Sequence, residues 1–166
     1  MAAIRQATEV DISGVRDVFG DYLRWAVGTV NREFNGTFDI AALLEHDMDE
    51  LHKFMPPSGR LLLAIDGTIV VGCACMRTLH EGVAELKRMY VRPDQRQKGI
   101  GRTLVLALIA ELRDSGYTTL RLDSARFMNE AHALYRSLGF AERDNYPESE
   151  IPEDFRKHWI FMELTL

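Results

Sequence analysis

The chain has 166 residues, 46% of them hydrophobic and 27% charged, with a formal net charge of −5. That length suits one domain with its own core, so a single domain over residues 1–166 is expected. The acidic balance speaks against general nucleic-acid binding, no apolar run reaches the roughly 18 residues of a membrane span, and the short polar start MAAIRQATEVD is no secretory leader, so a cytoplasmic protein without a membrane partner is expected.

The segment AAIRQA is short and strand-like. TEVD then places an acidic residue three after a threonine, a capping-box pattern. Ile12, Val15, Val18, Phe19, Tyr22, Leu23 and Ala26 follow at helical spacing, which predicts a helix over roughly 12–27. NREFNGTFD is expected as a loop whose Asp39 caps a second helix carrying Ile40, Leu43, Leu44, Met48 and Leu51, stopped by PPSG. Two apolar runs around Asp66-Gly67 predict a hairpin, with positive φ at the second central position. GVAELKRMYV is a further strand. Residues 99–115 predict a helix with Ile100, Leu104, Ala107, Leu108 and Leu112 on one stripe. YTTLRLDS is a strand, and MNEAHALYRSLG is a short helix with Gly139 in the C′ position. FAERD and HWIFMELTL close the chain as two strands around the acidic loop NYPESEIPED.

The expected order is β-α-α-β-β-β-α-β-α-β-β: a mixed α/β fold with a mostly antiparallel sheet of about seven strands and four helices. Cys73 and Cys75, two residues apart on one strand, share a face, are poorly placed to bond each other, and suit a core in a reducing compartment. The five histidines show no metal-ligand spacing, so no metal is expected.

Chemistry concentrates in RPDQRQKGIGRTL, residues 92–104. Unpaired amides at a helix start attract an anion, glycines admit it to the backbone, and Arg92, Arg96, Lys98 and Arg102 add charge. A P-loop would need four residues between its glycines and then Lys-Ser/Thr, and a dinucleotide fingerprint would need glycine where Leu104 stands. What remains is Arg-x-x-Gly-x-Gly, either a phosphate site of unspecified kind or a basic turn whose glycines are only structural.

ELKRMYVRPDQRQKGIGRTL, followed by GYTTLRLDS and NEAHALYRSLGF, resembles the GCN5-related N-acetyltransferase (GNAT) superfamily over about residues 60–166. The first 55 residues match only in their two-helix pattern. The resemblance implies acetyl-CoA as co-substrate. The amides of the turn Arg96, Gln97, Lys98, Gly99, Ile100, Gly101 and Arg102 would hold its pyrophosphate, and the backbone of Met89, Tyr90 and Val91 would bind the pantetheine arm as an added strand. Asn129 would contact the same arm or a water near it. Its alternative role is that of an N-cap for a helix beginning near Glu130.

A primary amine must lose a proton before it attacks, which costs roughly 4–5 kcal/mol at pH 7, and the leaving thiolate must gain one. Tyr135, in AHALYRSLGF, matches the usual proton donor to the thiolate; the alternative is a tyrosine that covers the core beside Leu134 and Leu138. Glu85 matches a glutamate that in some relatives takes the amine proton through water; the alternative is a strand carboxylate paired with Lys87 or a neighbouring arginine. Lys87 and Arg88, on opposite strand faces, offer one charge to an anionic group on the acceptor, unless they are salt-bridged. Trp25, Phe34 and Phe38 line the acceptor pocket or pack in the core. The expected activity is direct acetyl transfer to a small-molecule amine, with a homodimer left open. The alternatives are a non-catalytic acyl-CoA sensing module, or an enzyme for a peptide amine, which the acidic loop would attract.

Overall fold

The computed structural model describes all 166 residues. In chain order the elements are β1 (Ala3–Gln6), α1 (Ile12–Glu33), α2 (Ile40–Asp49), β2 (Gly59–Asp66), β3 (Ile69–His80), β4 (Val83–Val91), α3 (Ile100–Asp114), β5 (Thr119–Ala125), α4 (Asn129–Ser137), β6 (Ala141–Arg143) and β7 (Trp159–Thr165). The order is the expected one. The strands form one seven-stranded sheet, β1-β2-β3-β4-β5-β7-β6. Pairing is antiparallel for β1 with β2, β2 with β3, β5 with β7 and β6 with β7, while β4 and β5 run parallel.

The chain folds as two compact units, residues 1–77 with 87–108, and residues 78–86 with 109–166. In the first, Val18 and Phe19 of α1, Leu61 and Leu63 of β2, Cys73 and Cys75 of β3, and Phe54 form a core. Phe19 meets Phe54 edge to face at 6.5 Å between ring centres. Each such buried apolar side chain stabilises the fold by roughly 1.5–3 kcal/mol. Both cysteines are free and buried, and burial pushes the Cys75 thiol well above its usual range. In the second unit β5 alternates, with Leu120, Leu122 and Ser124 buried and Arg121 and Asp123 partly open. Its register to β4 joins Val83, Ala84 and Glu85 to Thr119, Leu120 and Arg121.

Three local expectations change. α1 continues to Glu33, so Asn31, Arg32 and Glu33 are helical rather than loop. Gly28, Thr29 and Asn31 are weak helix formers, but Thr29 and Val30 are buried and the Thr29 hydroxyl donates back to the Trp25 carbonyl at 2.6 Å, so packing overrides propensity. Asn31 then grips Phe38, donating to its carbonyl at 2.9 Å and accepting its N–H at 3.1 Å, which sets the lead into α2. Asp39 caps α2 as expected, accepting from the Ala42 N–H at 3.0 Å, but α2 ends at Asp49 and Leu51 opens a separate 3₁₀ turn. In the β2–β3 hairpin Asp66 pairs with Ile69, so Gly67, φ +62°, is the first central residue and not the second. That is the position at which a II′ turn requires glycine.

Candidate active site

The glycine turn is built in steps. Pro93 opens a 3₁₀ turn, Pro93–Gln95, whose Gln95 N–H donates to the Arg92 carbonyl at 2.9 Å. Gln97 and Gly99 then take left-handed backbone, φ +61° and +78°. Gly99 does so without strain, and nothing lies within 4 Å of where its Cβ would be. Its carbonyl accepts the first α3 bond, from Thr103 at 3.0 Å. The amides of Ile100, Gly101 and Arg102 therefore precede the first intrahelical donor, the Thr103 N–H, and carry the positive end of the helix.

Arg96 begins this turn, and its side chain turns to the core of the first unit. Its guanidinium lies over the Trp25 ring at 5.2 Å and the Tyr90 ring at 5.6 Å. Its Nε donates to the Val91 carbonyl at 3.0 Å, and its own N–H donates to Pro93 at 3.3 Å. So the Arg96 side chain braces the turn whose amides the resemblance assigns to pyrophosphate. Lys98 Nζ donates to Gln95 Oε1 at 2.9 Å.

Ahead of the turn, β4 delivers Met89, Tyr90 and Val91. The Tyr90 ring is buried against Tyr22 at 6.0 Å and Trp25 at 5.9 Å. Gly72 on β3 lets the β4 backbone approach, since a Cβ there would stand 2.8 Å from the Tyr90 carbonyl. The backbone of Arg88 has φ +50°, a left-handed residue inside a strand, which breaks the two-residue alternation there. The assignment of Lys87 and Arg88 to opposite faces by simple alternation does not carry across that break. Arg88 forms a fork with Asp47 of α2, at 2.6 and 2.7 Å, and lies over the Tyr22 ring. Burial opposes its charge, but Asp47 more than offsets this and holds the guanidinium above its ordinary pKa. The Arg88 charge is thus committed to a salt bridge. Lys87 is buried. Trp25, Phe34 and Phe38 are half-buried.

The second unit holds the two proton-transfer candidates. Tyr135 is 5% exposed. After α4 the chain turns at Gly139, φ +97°, with the Gly139 N–H donating to Arg136 and the Phe140 N–H to Tyr135, each at 3.1 Å. This Schellman closure places the Phe140 ring 5.5 Å from the Tyr135 ring. One helical turn earlier, buried His132 contacts the Ser124 hydroxyl at 2.9 Å, and burial, then Arg136, lowers its pKa. Asn129 is the first helical residue and exposed, while Met128 holds the N-cap position, so the capping alternative for Asn129 is not realised.

Glu85 is 0% exposed and accepts a hydrogen bond from the Tyr146 hydroxyl at 2.7 Å. Arg121 stands opposite it in register. Arg121 and Arg143 flank the Tyr146 ring at 5.5 and 5.6 Å, and both pair with Glu163. Burial works against the Glu163 charge, but the two arginines hold its pKa below the usual value. Sequence reasoning missed Tyr146, having treated its loop as acidic charge alone. The signal was an aromatic residue set directly before a proline in an otherwise polar stretch.

A family model described as Acetyltransferase (GNAT) family matches residues 28–140. An uncharacterized N-acetyltransferase of Schizosaccharomyces pombe is 33% identical over 128 residues, 73% of this chain and 78% of its own length. A ribosomal-protein alanine N-acetyltransferase of Escherichia coli is 41% identical over 75 residues, 43% of this chain and 51% of its own. The crystal structure of PaiA N-acetyltransferase from Thermoplasma acidophilum, in complex with coenzyme A, superposes with a TM-score of 0.76 at 19% identity, covering 100% of this chain and 99% of that one. The glycine turn at the start of α3, the tyrosine helix that follows β5 and the match over two thirds of the sequence agree: this chain belongs to the GNAT acetyltransferase family.

Proposed function

We propose that the chain uses acetyl-CoA to acetylate the amine of a small molecule by direct transfer. The observation that carries this reading is the start of α3, where Gly99 frees the helix-end amides toward an incoming phosphate. Gln97, Lys98, Gly99, Ile100, Gly101 and Arg102 hold the pyrophosphate, with Arg96 bracing them. The backbone at Met89, Tyr90 and Val91 takes the pantetheine arm, and Asn129 meets it from α4.

The amine nitrogen attacks the thioester carbon, an N–C bond forms and the C–S bond breaks. The Tyr135 hydroxyl gives its proton to the departing thiolate, which leaves as the free thiol. The amine proton passes to Glu85. Because Glu85 is wholly buried, the proton reaches it through an intermediary and not by direct contact.

Arg88 is spent on Asp47, and acidic groups of the closing segment are paired, Glu142 with Arg136 and Glu148 with Arg121. These pairs weaken the pull of Arg88 on an anionic acceptor and of Glu142 and Glu148 on a basic peptide. A protein amine is the second reading, favoured by the E. coli relative that acts on a ribosomal protein. An amine screen that reads thiol release from acetyl-CoA tests the proposal. Tyr135→Phe should lower kcat by about a hundredfold while the acetyl-CoA Kd stays within about twofold. An unchanged kcat removes Tyr135 from the acid role, and acetyl-CoA binding without turnover on any amine supports the sensing module.

A further inference from the structure

Tyr146 lies outside both motifs of the family resemblance, yet it is 0% exposed and its hydroxyl donates to the one carboxylate assigned to the amine proton, at 2.7 Å. We propose that Tyr146 is a positioning residue for Glu85, which fixes the carboxylate in one orientation toward the amine proton. This rests on the reading of Glu85 as the base.

Three features support it. A phenol donating to a carboxylate makes a short, charge-assisted bond with one preferred geometry, stronger than a neutral pair. The Tyr146 ring cannot swing away: Phe161 meets it edge to face at 5.8 Å, and Arg121 and Arg143 hold its faces. The loop that carries it is tied as well, since the Ser149 N–H donates to the Tyr146 carbonyl at 3.1 Å and the Ser149 hydroxyl donates to Asp123 at 3.0 Å. A surface loop with an aromatic anchor of this kind is built to hold a hydroxyl in place.

The surrounding charges come from several elements. Arg121 lies on β5 and Glu163 on β7, Arg143 on β6, Glu148 on the loop, and Lys87 two residues along β4 from Glu85. Tyr146→Phe keeps the ring and its packing and deletes only the donor.

The test is a double-mutant cycle on the full chain, with acetyl-CoA and the best amine from the screen. Tyr146→Phe should lower kcat by about tenfold and leave the acetyl-CoA KM unchanged. In a Glu85→Gln background the same change should cost nothing further. The Tyr146→Phe deficit should also shrink as pH rises toward the amine pKa near 10.4, where the free amine needs no base. A structural role would lower the melting temperature and depress the rate equally at every pH. A slow Glu85→Gln with a normal Tyr146→Phe overturns the positioning role and leaves Glu85 as base. A normal rate for Glu85→Gln overturns both readings. Losses that add in full overturn the link between the two residues.

Discussion

Asp11 shows how a single carboxylate can close a helix entry. It accepts both arms of the Arg5 guanidinium, at 2.7 and 2.8 Å, and the Thr8 N–H and hydroxyl at 2.8 and 3.0 Å. The Arg5 fork, then Thr8, hold its pKa well below the usual carboxylate range, against the opposing effect of burial. A carboxylate with a depressed folded pKa contributes stability above its unfolded pKa near 3.9, and that contribution is lost as pH falls below it. Arg5 is nearly half exposed, so solvent weakens the pair. Asp11→Asn should therefore lower the melting temperature by only about 2–4 °C at pH 7, and the gap should close as pH drops below about 4. A gap that persists in acid would assign the effect to packing. The spacing TEVD made this residue legible, because a cap is a local device. Glu85 was legible as a candidate, but its donor stands 61 positions away, beyond the reach of any local pattern.

At the scale of elements, every α-helix and strand was legible, the helices through their hydrophobic period, since each buries one face. Boundaries and turns depend on neighbours, and there the sequence reading was looser: the α1 end and the Gly67 position both follow from packing and pairing. The Arg96 brace is of the same kind. It joins the glycine turn to Trp25 on α1 and Tyr90 on β4, a juxtaposition set by tertiary structure. Trp25→Leu removes one face of that clamp, and acetyl-CoA affinity should fall by about threefold to tenfold, the worth of one cation–π contact. Calorimetric titration of the folded variant checks this. Unchanged affinity would mean that the turn holds its shape through backbone alone.

For the molecule as a whole, binding is readable as stability. Acetyl-CoA at about a hundred times its Kd should stabilise the protein by roughly 2.7 kcal/mol, raising the melting temperature by about 5–10 °C. Gly101→Glu sets a carboxylate among the amides of the α3 start and should abolish that rise while sparing the free protein. A preserved rise would move the pyrophosphate elsewhere. The sheet order β5-β7-β6 and the division into two units stood outside sequence reasoning, because both join segments far apart in the chain.

That division also orders events in time. Residues 78–86 of the second unit are synthesised inside the stretch that builds the first, and the rest of their unit begins only at Ile109. The first unit has all its segments once Leu108 has left the ribosome. Val83, Ala84 and Glu85 must wait for β5, and the Glu85 carboxylate waits longer still, until the loop bearing Tyr146 emerges. A nascent chain thus carries the Glu85 carboxylate solvated, and it is sealed from water only after the Tyr146 loop has been made.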